Sequence, residues 1–430
     1  MNKKDDQAVM KTLAYVSIIT SLMSANLLAF DLGFFQLSLF RITIIAMALG
    51  LFGETLVRGG KLRLNITKGN RFSIQFMFIW FIYGFVSLGW VKDYNNWIRA
   101  LYFLGLGLLV VILYSKLFTS NREIVRGFRG MSIMIALHNL LGWYEIITGN
   151  YFFLHPDRIV GYTRGSLPVS TFGNTNDFAT FLLVAIFVLY ICAANSRTVV
   201  GKGAYAGLIF SSLFLLLMTN SRGNILGFLV GVTTFLYLSL LSKRGRRTML
   251  LVALGFIMVI MVNPTALTGF ISMINDKLYF NIGAYSGSDA TRLNLIRNGF
   301  EFVLNTAGFG TGAGNIEHWM ANRGKYYTGG ITNIHNWWME ILTGYGLLVF
   351  LLYIAFYVKL FLDLYRKYKT NNDRDKTISL GAMSSMAGFL VGSMSSSSNI
   401  STEWLWMFWG LLIAYQGIED ARKKRADPET

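Results

Sequence analysis

An all-α polytopic membrane protein is the fold class predicted by three features of this 430-residue chain. Hydrophobic residues make up 53% and charged residues 14%, with a mean hydropathy of +0.47, whereas about 25% of a soluble domain is charged. Apolar runs recur at the roughly 20-residue length that a helix needs to cross about 30 Å of hydrocarbon, and twelve can be counted. Lysine and arginine cluster in the connections between these runs. A net charge of +17 would suggest nucleic acid if it formed one patch; divided among connections, it is a signal of membrane topology. The single cysteine, Cys192, lies inside an apolar run, so neither an internal disulfide nor a thiolate metal site is available.

The first ten residues are polar and basic, and the apolar run behind them is too long for a removable signal peptide. It is expected to remain as the first span, at 12–30. Further spans are expected at 33–52, 72–90, 98–115, 130–148, 171–194, 203–219, 223–242, 248–263, 336–360, 378–396 and 402–418. Nine therefore fall within residues 1–263 and three within 336–418, with a large loop at 264–335 and a short tail at 419–430. Basic residues near span ends stay on the cytoplasmic side. With the N-terminus inside, the clusters at 58–71, 116–129, 243–247, 359–376 and 422–425 all fall inside. Both termini are then cytoplasmic, and the large loop faces out.

The basic residues left on the outer side are mostly arginines, such as Arg41, Arg99, Arg158 and Arg323, whereas arginine and lysine are equally frequent inside. A guanidinium fork matches phosphate or carboxylate oxygens two at a time. Several of these arginines lie in motifs. Arg164-Gly165 precedes Phe172-Gly173-Asn174-Thr175-Asn176-Asp177 at the start of a span. There the polar side chains cap a helix, or the helix start attracts an anion. Ser221-Arg222-Gly223 places a charge between two spans at the outer boundary, either snorkelling to headgroups or serving a ligand.

Within the loop, Leu293, Ile296, Phe300 and Val303 or Leu304 recur at helical spacing, with Asn294, Arg297, Asn298, Glu301 and Asn305 facing away. This predicts a helix lying along the membrane surface or on the spans. Arg297 stands four residues before Glu301 and is expected to pair with it. Arg292 has no acid at that spacing and is the better ligand candidate. Gly308, Gly310, Gly312 and Gly314 follow; without a preceding strand or a following Lys-Ser/Thr they are not a nucleotide loop, and they are expected to end the helix in a tight turn. His335-Asn336-Trp337-Trp338 then opens a span. His335 is an interfacial residue beside an aromatic belt or, given the arginines gathered on that side, a proton-transfer group. The serine run at 395–398 is read as the outer end of a span and nothing more.

In order, Arg-Gly before Phe-Gly-Asn-x-Asn, Ser-Arg-Gly, Arg292, Gly-x-Gly-x-Gly-Asn at 310–315 and His-Asn before a span resemble the O-antigen ligase and polymerase family of bacterial envelope glycosyltransferases. The resemblance covers about residues 160–350, and Asn174-Thr175-Asn176 stands where the family often has Asn-Pro-Asn. It implies a GT-C-like, multi-pass enzyme of the bacterial cytoplasmic (inner) membrane, with its site on the extracytoplasmic face and no metal or other cofactor. Its substrate would be an undecaprenyl-diphosphate-linked glycan, with membrane lipid, a flippase and a chain-length regulator as further partners and no nucleic acid. By that likeness Arg222 and Arg292 hold the diphosphate and stabilise it as it leaves, and His335 is the general base. Arg164, Asn174, Asn176 and Asn336 would contact substrate. The outward carboxylates Asp157, Asp177, Asp276, Asp289 and Glu317 are scattered along the chain, so arginines would supply the charge neutralisation that a metal supplies elsewhere. A polymerase is favoured, because it needs only one type of lipid-linked substrate. The alternatives are a ligase, which moves finished glycan to a different acceptor, and a lipid-linked glycan transporter. A transporter would carry charges deep in several spans, and apart from Arg41 the mid-span positions are nearly charge-free.

Overall fold

The computed structural model describes residues 3–21, 29–31, 36–57, 59–60, 64, 66–152, 167–241, 246, 288–397 and 399–418. Its helices are α1 (Lys3–Thr20), α2 (Leu39–Val57), α3 (Arg71–Val86), α4 (Tyr94–Leu117), α5 (Asn121–Thr148), α6 (Thr175–Ala194), α7 (Val199–Met218) and α8 (Arg222–Leu240). After the undescribed stretch come α9 (Ser288–Asn305), α10 (Ile316–Arg323), α11 (Trp337–Thr370), α12 (Asp373–Gly392) and α13 (Glu403–Gly417). Each expected span among the described residues overlaps a helix, and among those residues seven helices are long and apolar enough to cross a membrane. The expected span at 248–263, the tail, Arg158, Arg164 and most of the loop before Ser288 lie outside the described residues.

Two expectations about the start of the chain change. The first helix covers 3–20 rather than 12–30, and the second begins at Leu39 rather than 33, behind an antiparallel hairpin of β1 (Ala29–Asp31) and β2 (Gln36–Ser38); the fold remains that of an all-α polytopic membrane protein. Ser21, Ser24 and Asn26 interrupt the apolar run, and Asp31-Leu32-Gly33 supplies turn chemistry. A period-blind count of apolar residues runs through these signals.

Bonds between elements sort into two groups. In one, Lys11 meets Glu123 at 2.5 Å, Lys116 meets Glu54, Arg129 donates to the Asn195 carbonyl (2.7 Å) and Asn195 donates to Thr377 (2.8 Å). In the other, Trp90 donates to the Gly310 carbonyl (3.1 Å), Asn315 accepts from the amides of Lys92 and Asp93 (2.8 Å each), and Asp177 accepts from Ser397. The first group joins connections that the basic residues assign to the inside, and the second joins those assigned to the outside. Arg41, the charge noted within a span, is buried against Glu403 at 2.6 Å, with its guanidinium 5.2 Å from the Phe103 ring centre. It ties α2 to α13.

At the centre, α13 is buried along its whole length, as a helix apolar on every side must be. Beside it Trp80, Trp337, Tyr345, Tyr353 and Trp406 form an aromatic cluster with centroids near 6 Å from Trp80. This cluster requires a break in α11. The Trp337 indole donates to the Tyr353 hydroxyl at 2.8 Å, yet in a straight helix sixteen residues span about 24 Å. Gly346 interrupts the helix with φ 77° and ψ 179°, so residues 337–345 fold back on the longer half. The expected unbroken span at 336–360 is therefore two segments. The glycine run closes the gap: Thr311 and Gly312 amides donate to the Thr343 and Gly344 carbonyls (2.8 and 3.0 Å), and the Leu347 amide donates to the Gly308 carbonyl (2.8 Å). A side chain at Gly346 would collide with the Gly308 carbonyl.

Candidate active site

Three of the motifs meet at the serine run. Asn176 opens α6 and accepts from Ser221 (2.7 Å), and Asn224 in the first turn of α8 donates to the Asn176 carbonyl (3.1 Å) and to Ser395 (3.3 Å). Asp177 accepts from the Ser397 amide (2.7 Å) and hydroxyl. The Trp337 amide donates to the Ser393 carbonyl (3.0 Å). Residues 393–397 thus bind the beginnings of α6, α8 and α11 together. Arg222 lies half-buried at the first position of α8, next to Gly223, where a Cβ would stand 2.7 Å from the Ser395 hydroxyl. The sequence reading missed this run. The available signal was a series of serines closing an apolar span, whose hydroxyls must find partners once buried.

His335 and Arg292 come from different elements. Leu295 and Phe302 of α9 bury against Ile334, Met339 and Leu342, which lays the helix along the start of α11 and carries Arg292, one turn before Leu295, towards His335. Burial first, and then the positive charge of Arg292, hold the His335 imidazole below the usual histidine range. Its backbone has φ 47°, a left-handed conformation that costs a residue with a Cβ and that clusters at functional positions. Asn333 accepts from the His335 amide (2.9 Å) and Asn336 caps α11 through the Trp338 and Met339 amides (3.1 and 3.2 Å), so the histidine is fixed from both sides. Asn220, two residues before Arg222, and Ser170, four before Asn174, also have positive φ (55° and 49°).

Several expected roles are altered. The side-chain oxygens of Asn174 and Asn336 are engaged in helix capping, that of Asn174 accepting from the Asn176 amide at 2.8 Å. The Arg297–Glu301 pair does not form: Glu301 pairs with Lys325 at 3.1 Å, and Arg297 lies 5.8 Å from the Tyr326 ring centre. The cause is Asn298, placed by the sequence reading on the outer face but fully buried. Its oxygen accepts from the Lys325 and Tyr326 amides (2.9 and 2.8 Å) and its nitrogen donates to the Tyr326 carbonyl (2.8 Å). That clasp draws residues 325–326 over α9 and delivers a lysine to Glu301. The buried face of α9 is accordingly Leu295, Asn298 and Phe302, while Leu293, Phe300 and Leu304 are exposed. Asp289, three residues before Arg292, is the nearest acid in sequence, and its side chain lies outside the described residues. Among the described residues no three histidine, cysteine or acidic side chains gather as a metal site.

Residues 206–354 match the family described as O-Antigen ligase, a stretch from within α7 to within α11 that takes in Arg222, Arg292 and His335. The Teichuronic acid biosynthesis protein TuaE of Bacillus subtilis (strain 168) is 28% identical over an alignment covering 96% of this chain and 85% of that protein. The chain is thus similar to the O-antigen ligase family over residues 206–354 and to a teichuronic acid biosynthesis protein along nearly its whole length.

Proposed function

We propose that this protein is a metal-independent, GT-C-like glycosyltransferase that polymerises undecaprenyl-diphosphate-linked oligosaccharide repeat units at the outer face of the cytoplasmic membrane, as part of cell-surface polysaccharide synthesis. The observation that carries the reading is the approach of Arg292 to a histidine whose imidazole is held low. A base working near neutral pH must be unprotonated, and a guanidinium beside it both favours that state and offers a fork to phosphate. In the reaction, an acceptor sugar hydroxyl attacks the anomeric carbon of the donor glycan. His335 takes the hydroxyl proton, the bond from the anomeric carbon to the phosphate oxygen breaks, and undecaprenyl diphosphate leaves with the electron pair. Arg222 and Arg292 neutralise the charge that grows on that oxygen. The serine run holds the start of α8, and with it Arg222, against the start of α11.

The kinship with a teichuronic acid biosynthesis protein supports polymer synthesis, whereas the ligase description of the matched family favours transfer of finished glycan to another acceptor. Purified protein supplied with one defined lipid-linked repeat unit distinguishes the two. A ladder of extended lipid-linked products, unchanged in EDTA, is expected. No extension until a second acceptor is added would replace the polymerase with a ligase, and activity lost in EDTA and restored by a divalent ion would overturn metal independence.

A further inference from the structure

At the end of the molecule that holds Lys11–Glu123 and Arg129–Asn195, a cavity of ≈ 1450 Å³ opens between the starts of α5, α7 and α12. Arg122, Arg126 and Arg129 of α5 and Arg197 from the connection into α7 line it. The three on α5 follow at spacings of four and three residues, which puts them on one helical face. Opposite them, Asp375 is the one carboxylate among the described lining residues. Three helices also begin at the rim, capped by Ser120, Thr198 and Asn372, and a helix start carries positive partial charge.

Topology explains why positive charge is retained at this end, but not why four guanidinium groups share one cavity. Elsewhere at the same end the basic groups are dispersed on local partners: Arg366 pairs with Asp363, and Lys369 sits over the Tyr365 ring. Arg129 uses one donor on the Asn195 carbonyl and Arg126 meets the Tyr15 hydroxyl, yet each guanidinium has five donors. The cavity is also amphipathic. Val125, Ala204, Leu208 and Ile418 form part of its wall. A soluble anion needs no such wall, whereas a lipid does.

We propose that this cavity binds the phosphate of an anionic phospholipid headgroup, gripped by the arginines, with the first part of the acyl chains against the apolar wall. The site is remote from His335 and independent of the glycosyl-transfer reading. The test is native mass spectrometry of the delipidated full chain titrated with phosphatidylglycerol, phosphatidylcholine or inorganic phosphate. Phosphatidylglycerol should bind at least ~10-fold more tightly than phosphatidylcholine, and inorganic phosphate should not displace it. Arg122→Gln/Arg126→Gln should weaken phosphatidylglycerol about 10-fold, and Arg122→Lys/Arg126→Lys, which keeps the charge that guides insertion, about 3-fold. Arg366→Gln/Lys369→Gln, removing equal charge from the same end, should leave it unchanged. Equal binding of the two lipids, or equal loss in the cavity and control variants, would overturn the site. Displacement by inorganic phosphate at matched concentration would overturn the lipid assignment.

Discussion

Arg292 and Arg297 stand five residues apart on one helix and begin from the same position in the sequence: two arginines on the side where topology does not ask for positive charge. Packing separates them. Arg297 lies over the ring of Tyr326, on a segment that Asn298 clasps to α9, while the positive charge of Arg292, after burial, contributes to holding the His335 imidazole low in its strained turn. The acid that should have neutralised Arg297 was taken by Lys325. In the expected pair the arginine preceded the glutamate, which is the weaker orientation on a helix, so a lysine supplied by the clasped segment displaces it readily. The charge pattern of a helix therefore names the candidates, and the tertiary neighbours decide which of them acts on a titratable group.

The sharpest way to break this contrast is to remove the base. His335→Ala should lower kcat for glycan extension by about 10² to 10⁴ while leaving KM for the lipid-linked donor nearly unchanged, because proton transfer is needed in the transition state and not for holding the diphosphate. Imidazole added to the buffer should restore part of the rate. A fully active variant would return His335 to the aromatic belt.

Next in size is Arg292→Lys. An ammonium keeps the charge but not the two-pronged geometry, so transfer should fall by roughly 10² to 10³, the scale for losing one donor to a developing oxyanion. The pH profile separates charge from geometry. With the His335 pKa lowered from 6.5, the rate should rise with pH through a midpoint below that value and stay level above it, since the neutral imidazole is the working form. Arg292→Gln removes one of the two causes of the shift and should move the midpoint upward. Arg292→Lys should leave it in place despite the lower rate. A midpoint that does not move in the Gln variant would mean that the two residues are not coupled.

A smaller effect is expected from the frame. Gly346→Ala places a Cβ at φ 77° against the Gly308 carbonyl, a backbone conformation that costs a residue with a side chain about 1–3 kcal/mol. The variant should melt at a lower temperature in detergent. An unchanged melting temperature would argue against the fold-back of residues 337–345.

Much of the span pattern was legible because apolar length largely determines whether a segment can cross a bilayer: seven helices among the described residues are long and apolar enough to do so. The break in α11 was not. A glycine in an apolar run reads equally as a packing contact or a hinge, and what decides the matter is the glycine loop at 308–314, which satisfies the carbonyls that the break exposes. Among the residues proposed for the site, Arg222, Arg292 and His335 stood out because each is a charged or titratable residue out of place. The serine run did not, since a hydroxyl at a span end is unremarkable until Asp177, Asn224 and the Trp337 amide are seen to meet it. Asn298 was misplaced for the opposite reason: periodicity counts a polar side chain as outward, and this one is buried because it binds a backbone segment that lies distant in sequence.

The smallest expected effect falls on the other member of the pair. Arg297→Lys should change glycan extension by less than about twofold, because an exposed cation over an aromatic ring contributes only ~0.5–1 kcal/mol and lysine retains part of that attraction. Glu301→Gln is the informative companion. Glu301 pairs with an exposed Lys325, an ion pair that solvent screens almost to nothing, so its loss should be nearly silent both alone and combined with Arg297→Lys. If instead the two substitutions proved strongly non-additive in extension rate, Arg297 and Glu301 would be coupled after all. The contrast between the two arginines would then rest on distance from His335 alone, and no longer on the clasp that Asn298 builds.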